Sequence, residues 1–332
     1  MSVGILRTSG ARTVALVVPC TKRKRGHVQA EMRFHTLERM TAASLADEWL
    51  YRMQNANGHT QAEKLYNGDG WKRSLAARDA MEKCLGNATL YILSAGFGLL
   101  RKDDLVPPYS ATFAPDEDQI ARRVEGGNFT TEAHRSWWKA ISEKRGQFMP
   151  SRFEELTSHD FILIAAGVDY LQATDSDISK LARTHRQERL FIIGIGTQLS
   201  ALDPAIRPCL LPVDISVELM LPGPRSTVNQ RALQWAVEKV ISKVSWDARA
   251  VREEISNELS EWRLTRAAMP QRELHRLDDV AVERWISSSL DKKPNLPKHK
   301  LLEMFRQGHS CEQKRFFKLV DVVRQRIESN RL

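Results

Sequence analysis

Cysteine is scarce in this chain and widely scattered: Cys20, Cys84, Cys209 and Cys311 form no C-x-x-C pair. That spacing argues against a structural zinc site and against a disulfide framework, so reduced thiols in a cytoplasmic protein are the expectation. Long hydrophobic runs are missing as well. The most apolar stretches, Thr13 to Val18 and Phe161 to Ala166, fall far short of the roughly 20 residues that cross a bilayer. No small-residue cleavage site follows the first apolar run, where Cys20 opens a basic cluster instead, so no signal peptide is expected. The nine histidines lack metal-ligand spacing with a carboxylate or cysteine pair, and no metal is expected. Gly194-Ile195-Gly196 lacks the third glycine of a dinucleotide fingerprint and comes late in the chain, so no cofactor is expected. Internal repeats and low-complexity segments are absent too.

What is present is an ordinary apolar share, 42% of 332 residues, enough for one large domain and a smaller one. The net charge of +9 is unevenly spread. Residues 292–332 hold 11 Lys and Arg against 4 Asp and Glu, a net of +7, and residues 1–39 hold 8 against 2, a net of +6. Basic ends on a slightly acidic body point to a polyanion partner, because neutralising phosphates releases counterions. A merely solubilising surface is the plainer alternative. No apolar amphipathic stripe accompanies the basic runs, so no membrane partner is expected.

Four runs rich in Val, Ile, Leu or aromatic residues predict strands at Thr13–Val18, Thr89–Ser94, Phe161–Ala166 and Arg189–Gly194. Helical patterns separate them at Ala42–Met53, Lys72–Leu85, Thr131–Arg145 and Ile178–Arg186. The alternation predicts an α/β fold with a mainly parallel sheet flanked by helices, and a ligand site beyond the carboxyl ends of the strands. Pro222-Gly223-Pro224 is a turn, Asn229 a plausible cap for the helix after it, and no strand is expected beyond about residue 220. The division expected is 1–245 for the α/β domain and 246–332 for a helical, basic extension, with Leu290–Pro297 as a short connector.

The segment Ser94 to Tyr109 leaves a buried strand, passes Gly96 and Gly98, and offers Asp103, Asp104 and Tyr109 in what reads as a loop. Gly167-Val168-Asp169-Tyr170 follows another strand and can line the same cleft, or form a plain turn. Arg225 and Ser226, ahead of a helix, could grip phosphate at its N-terminus.

In this segment Ser94, Gly98, Leu99-Leu100-Arg101, Asp104-Leu105 and Pro108-Tyr109 resemble the hallmark motif of the YaaA family of peroxide-stress DNA-binding proteins. Ala62 to Gly68, with Tyr66, is similar to that family's Tyr-Gly segment. Pro19-Cys20-Thr21-Lys22 stands where the family carries a Ser-Pro-Ala-Lys turn, with Cys20 in place of its Pro; Lys102-Asp103 replace a Pro-Leu pair. The resemblance runs over about residues 13–245 and implies an α/β layout related to the uracil-DNA-glycosylase superfamily. The Cys20-Thr21-Lys22-Arg23-Lys24 start also resembles antiphage relatives that excise modified cytosines from phage DNA. It implies a DNA glycosylase that hydrolyses the N-glycosidic bond of a modified base, such as glucosylated hydroxymethylcytosine; the alternatives are a non-catalytic DNA-binding protein of stress response or repair, and a nucleoside base exchanger. In the glycosylase reading Asp104, or its neighbour Asp103, stabilises the positive sugar and orients water. Tyr109 stacks on or hydrogen-bonds the extruded base, and Lys22, Arg23 and Lys24 hold the flanking phosphates. A lysine such as Lys22 could instead attack the sugar as a Schiff-base nucleophile. Cys20, Ser94, Gly98 and Arg101 complete the expected base and DNA contacts.

At the C-terminus, Lys298–Arg306 reads as a helix broken at Gln307-Gly308-His309, and Ser310 as the cap of a second helix, Cys311–Arg326. The pair, spanning 298–327, resembles a helix-turn-helix whose basic face, with Lys314 and Lys318, enters a major groove of DNA. An ordinary hairpin with a solvated face is the alternative.

Overall fold

The run Val-Ala-Leu-Val-Val folds as the central strand of a five-stranded sheet and is buried along its whole length. Cover on both faces is why it reads as a continuous apolar run rather than an alternating one. The computed structural model describes residues 12–126, 130–146, 152–184, 187–194, 201–211, 213–214, 216–241, 248–268 and 275–329. In chain order the strands of the first part are β1 (Val14–Pro19), β2 (Thr60–Gln61), β3 (Ala88–Ser94), β4 (Gly98–Arg101), β5 (Leu105–Val106), β6 (Phe161–Ala165) and β7 (Leu190–Ile193). The sheet order is β4-β3-β1-β6-β7, parallel throughout except for β4, while β2 and β5 form a separate two-residue ladder.

Helices flank this sheet: α1 (Ala42–Asn55), α2 (Ala62–Leu65), α3 (Asp69–Leu85), α4 (Thr130–Gly146), α5 (Arg152–Leu156), α6 (Val168–Ala173), α7 (Asp175–Thr184), α8 (Val217–Met220), α9 (Val228–Trp235) and α10 (Ala248–Ala268). One group packs α1 and α6 on α4; another packs α3 on α9 and on the π-helical continuation Ala236–Ile241. The N-cap position of α9 is Thr227, two residues before the expected Asn229, and its side chain makes no capping hydrogen bond; Asn229 lies inside the first turn.

The chain divides into two compact units at Arg266/Ala267. Helix α10 therefore belongs to the α/β body and not to an extension starting at 246. Its Val251, Ile255 and Leu259 are fully buried in the body core, and Trp262 meets Trp235 at 4.6 Å between ring centroids.

The second unit holds β8 (His275–Arg276), α11 (Asp279–Lys292), α12 (Lys298–Phe305), β9 (His309–Ser310) and α13 (Gln313–Ser329). Its core joins all three helices through Val282, Ile286, Leu290, Phe305, Phe316 and Val320. Asp278 caps α11 by accepting from Ala281 N at 2.8 Å. Two expectations change here. Ser310 pairs in a short parallel ladder, β8 with β9, instead of capping α13, so a strand does occur beyond residue 220. Leu290–Pro297 lies inside this unit, as the end of α11 and the turn after it, since Leu290 is in its core and Arg324 donates to Leu296 O at 2.6 Å. No helix among the described residues is long and apolar enough to cross a membrane.

Candidate functional site at the strand ends

Where β1 ends, residues 20–25 are stitched to the segment before α3. Cys20 N donates to Leu93 O (2.9 Å), Arg25 N to Leu65 O (2.7 Å), Asn67 N to Arg23 O (3.0 Å) and Thr21 Oγ1 to Asn67 O (2.8 Å). This fixes the basic turn at the carboxyl edge of the sheet, where parallel α/β folds place ligands. Next to it, β3 ends at Ser94. The Ser94 hydroxyl meets Tyr109 Oη at 2.7 Å, and Tyr109 Oη meets Tyr66 Oη at 2.9 Å, a buried chain of three hydroxyls. Two buried tryptophans hold the turn that follows: Trp49 Nε1 donates to Gly96 O at 2.8 Å and Trp137 Nε1 to Ala95 O at 2.7 Å. Gly96 is required by close approach, because a Cβ there would stand 2.6 Å from the Tyr109 ring.

Lys24 lies on this tyrosine pair. Its Nζ is 4.1 Å from the Tyr109 ring centroid and 5.7 Å from that of Tyr66, and it donates to Thr21 O at 3.1 Å. No carboxylate among the described residues is within ion-pair distance. Burial lowers the Lys24 pKa below the usual lysine value; the pull of Cys20 and Asp118 offsets part of this, and repulsion from Lys22 adds to it. The cation–π contacts supply about 1 kcal/mol at this half-buried position. Cys20 is half-buried, with Sγ 3.2 Å from Tyr170 Oη. Tyr170 sits in the first turn of α6, edge-on to Phe113 at 5.1 Å. Asp169, one residue earlier, is exposed; partial desolvation raises its pKa, an effect that its open surface keeps small. Asp118 is buried beside the same cluster and grips His35, accepting from its backbone N at 3.0 Å and meeting Nδ1 at 2.7 Å. Desolvation pushes the Asp118 pKa up, but the hydrogen bonds from Ser110 and His35 together win and lower it.

Several expected site residues lie elsewhere or play other parts. The segment after Gly98 is a strand and not a loop: Gly98 pairs with Ser94 and Arg101 with Tyr91, so β4 runs back down the sheet. Asp103 and Asp104 are thereby carried away from the carboxyl edge. Asp104 is buried and saturated, with Arg145 Nη2 at 2.9 Å, Arg152 Nη2 at 2.6 Å and Arg101 N at 2.8 Å. Asp103 is exposed and pairs with Arg101 Nε at 3.3 Å; Arg101 also holds Glu155 at 3.1 Å. These three residues form an ion cluster that ties β4 to α4 and α5, so neither aspartate fits the catalytic part and Arg101 does not contact the strand-end site. Tyr109 is 1% exposed, with one face under Lys24 and its edge against Gly96, leaving no face for a base. Lys22 is exposed and ion-paired with Asp116, whereas Lys24 is half-buried and makes no ion pair among the described residues. Arg23 is exposed beside Gly68, and Gly98 takes φ +71° at the hairpin. Arg225 and Ser226 are exposed ahead of α9.

Tyr66, Asp118 and His35 were not singled out as site residues. The Tyr-Gly segment pointed at Tyr66, whereas nothing in sequence spacing joins His35 to Asp118. A separate open cleft of about 970 Å³ between α4 and α7 is lined by charges that already pair with each other, Arg135 with Asp175 (3.2 Å) and Arg183 with Asp203 (2.6 Å).

In the second unit most of the basic residues of α12 and α13 are engaged. Lys298 pairs with Asp321, Arg315 with Asp279, and Arg326 with Glu283 (3.1 Å). Lys314 and Lys318, one turn apart on α13, are exposed and make no ion pair within the described residues. No protein-family model matches the chain, and no curated protein matches it.

Proposed function

We propose that this protein cleaves the N-glycosidic bond of a modified base in DNA, with Lys24 as the attacking amine at the strand-end site. The observation that carries the reading is the place of Lys24, half-buried over Tyr109 with no carboxylate in ion-pair reach among the described residues and its pKa lowered, so that a neutral amine is available nearer neutral pH. In the proposed step the Lys24 lone pair forms a bond to C1′ of the deoxyribose as the C1′–N bond to the base breaks. The bonding pair leaves with the base, which takes a proton from the new ammonium. Opening of the C1′–O4′ bond then gives a protonated imine, with O4′ taking a proton from water. Cys20 and Tyr170 form the wall beside this amine, and Arg23 and Lys22 stand at the rim where flanking phosphates pass. The free pair Lys314 and Lys318 gives the second unit a duplex-facing surface.

The carboxylate-and-water mechanism first expected at Asp104 is set aside because both oxygens of that group are held by guanidinium groups. Incubating the protein with plain, hydroxymethylated and glucosylated duplex DNA, followed by alkali, tests the proposal. Released base and strand breaks on at least one modified duplex are expected. Shifted bands with no release on any substrate would replace catalysis by binding alone.

A further inference from the structure

Arg231, in the first turns of α9, is 2% exposed, yet its Nε and Nη1 have no hydrogen-bond partner. Its guanidinium reaches back past the helix start, where Nη2 donates to Pro224 O at 3.0 Å. A buried guanidinium with two orphaned donors is costly, and a native fold retains one where an anion compensates it. Glu218 is the nearby carboxylate, but its Oε1 faces Arg225 Nε at 3.5 Å and makes no hydrogen bond to Arg231. Burial lowers the Arg231 pKa, with Glu218 and Asp69 opposing that and Arg73 adding to it.

The surroundings are those of an anion cradle. The starts of α3 and α9 touch, since a Cβ on Gly70 would stand 3.3 Å from Thr227 Cγ2. Neither helix start carries a side-chain cap, although the Val228 N–H at the start of α9 is taken by Arg225 O, and both bring the positive ends of their dipoles here. Arg73, in the second turn of α3, donates to Gln234 on α9 at 3.2 Å, and the Gln230 Oε1 nearby is buried without a partner. The cradle borders the strand-end site: Asn229 Nδ2 would lie 3.7 Å from a Cβ on Gly167, at the end of β6. The turn Pro222-Gly223-Pro224 covers it closely, and a Cβ at Gly223 would come within 3.1 Å of Arg231 Cδ and 3.2 Å of Nε. That turn is bonded to the guanidinium through one neutral acceptor, which an anion would outcompete by moving the turn aside.

We infer that Arg231, with the paired starts of α3 and α9, binds a phosphate group. Resting on the reading of the strand-end site as a DNA site, this phosphate is the phosphodiester next to the nucleotide held there. The site needs no base, so it can be tested with inorganic phosphate alone.

Thermal melts of the intact protein in phosphate and in chloride at matched ionic strength decide the matter. Phosphate at about twenty times its Kd should raise Tm by about 4 °C over chloride. Arg231→Met should abolish the difference, and Lys139→Ala, at an exposed position of α4 away from this cradle, should keep it. If Arg231→Met does not fold, Arg231→Lys serves, since a lysine lacks the forked donors and should cut phosphate affinity at least about tenfold. Equal melts of the wild type in both anions would overturn the inference, as would a full phosphate shift in either Arg231 variant. The outcomes separate from those of the proposed activity. Failure of base release on every DNA, with the phosphate shift intact, sinks the glycosylase reading alone; a flat phosphate response sinks only this site.

Discussion

Asp104, buried, and Lys24, half-buried, are charged groups in the same α/β body, and they are treated in opposite ways. The Asp104 carboxylate is met by two guanidinium groups and a backbone N–H, which hold both of its oxygens. Lys24 is met by one carbonyl and two aromatic faces, with no carboxylate within ion-pair distance among the described residues. A fully answered buried charge is architecture. A buried group left short of partners is held at a cost, and such groups concentrate at functional sites.

The largest expected effect breaks the architectural side. Asp104→Ala leaves Arg145 and Arg152 facing each other without their shared anion and should cost about 3–5 kcal/mol in a urea melt. A loss below about 1 kcal/mol would mean that the cluster is not holding β4 in place.

His134 extends the other side of the comparison. It is buried against Phe113 at 4.6 Å, its Nε2 has no partner, and burial drives its pKa down from 6.5 to about 4. Because the folded pKa is the lower one, the unfolded chain takes up the proton first as pH falls. Stability should therefore drop between about pH 6.5 and pH 4, by about 2–3 kcal/mol from this group. His134→Phe should remove that share of the difference between melts at pH 7 and pH 4; an identical acid loss in both proteins would contradict it.

A smaller stability change, of opposite sign, is expected at Lys24. Lys24→Met should leave the melt unchanged or raise it by up to about 1 kcal/mol near neutral pH, since an apolar group replaces a half-buried cation with no ion pair among the described residues. The folded pKa lies below the ordinary 10.5, so the penalty in the wild type fades as pH rises toward that value, and the gain from methionine should fade with it. A clear destabilisation by methionine would place Lys24 with Asp104 as architecture. The slightest effect belongs to the second unit: Lys314→Gln with Lys318→Gln should reduce the salt slope of duplex binding by about 2 and leave the melt of the body alone. An unchanged slope would mean that this face is only solvated.

The four parallel strands and the helices α1, α3, α4 and α7 were legible from periodicity, to within three residues at the ends that are described. The failure that mattered came from one short strand. Gly98-Leu99-Leu100-Arg101 carries two apolar residues between a glycine and an arginine, too little pattern to separate an edge strand from a loop. Reading it as a loop put Asp104 at the carboxyl edge, when antiparallel pairing carries it down the sheet. The same motif correctly brought Ser94 and Tyr109 together, though as a buried hydroxyl chain and not as a base platform. Lys24 could be named from the Cys-x-Lys-x-Lys start but not told apart from Lys22. Only packing shows which amine is over the tyrosines and which is paired with Asp116. The boundary at 245 failed because helix α10 carries its apolar stripe onto the body, a contact that leaves no mark in composition.

The central claim is that the half-buried amine of Lys24 is the group that attacks DNA. Borohydride reduction of the protein incubated with glucosylated duplex, followed by digestion and mass mapping, tests it directly. The account predicts a covalent protein–DNA adduct on the peptide carrying Lys24, absent in Lys24→Met. Base release with no adduct, or an adduct that maps to another lysine and persists in Lys24→Met, would contradict it.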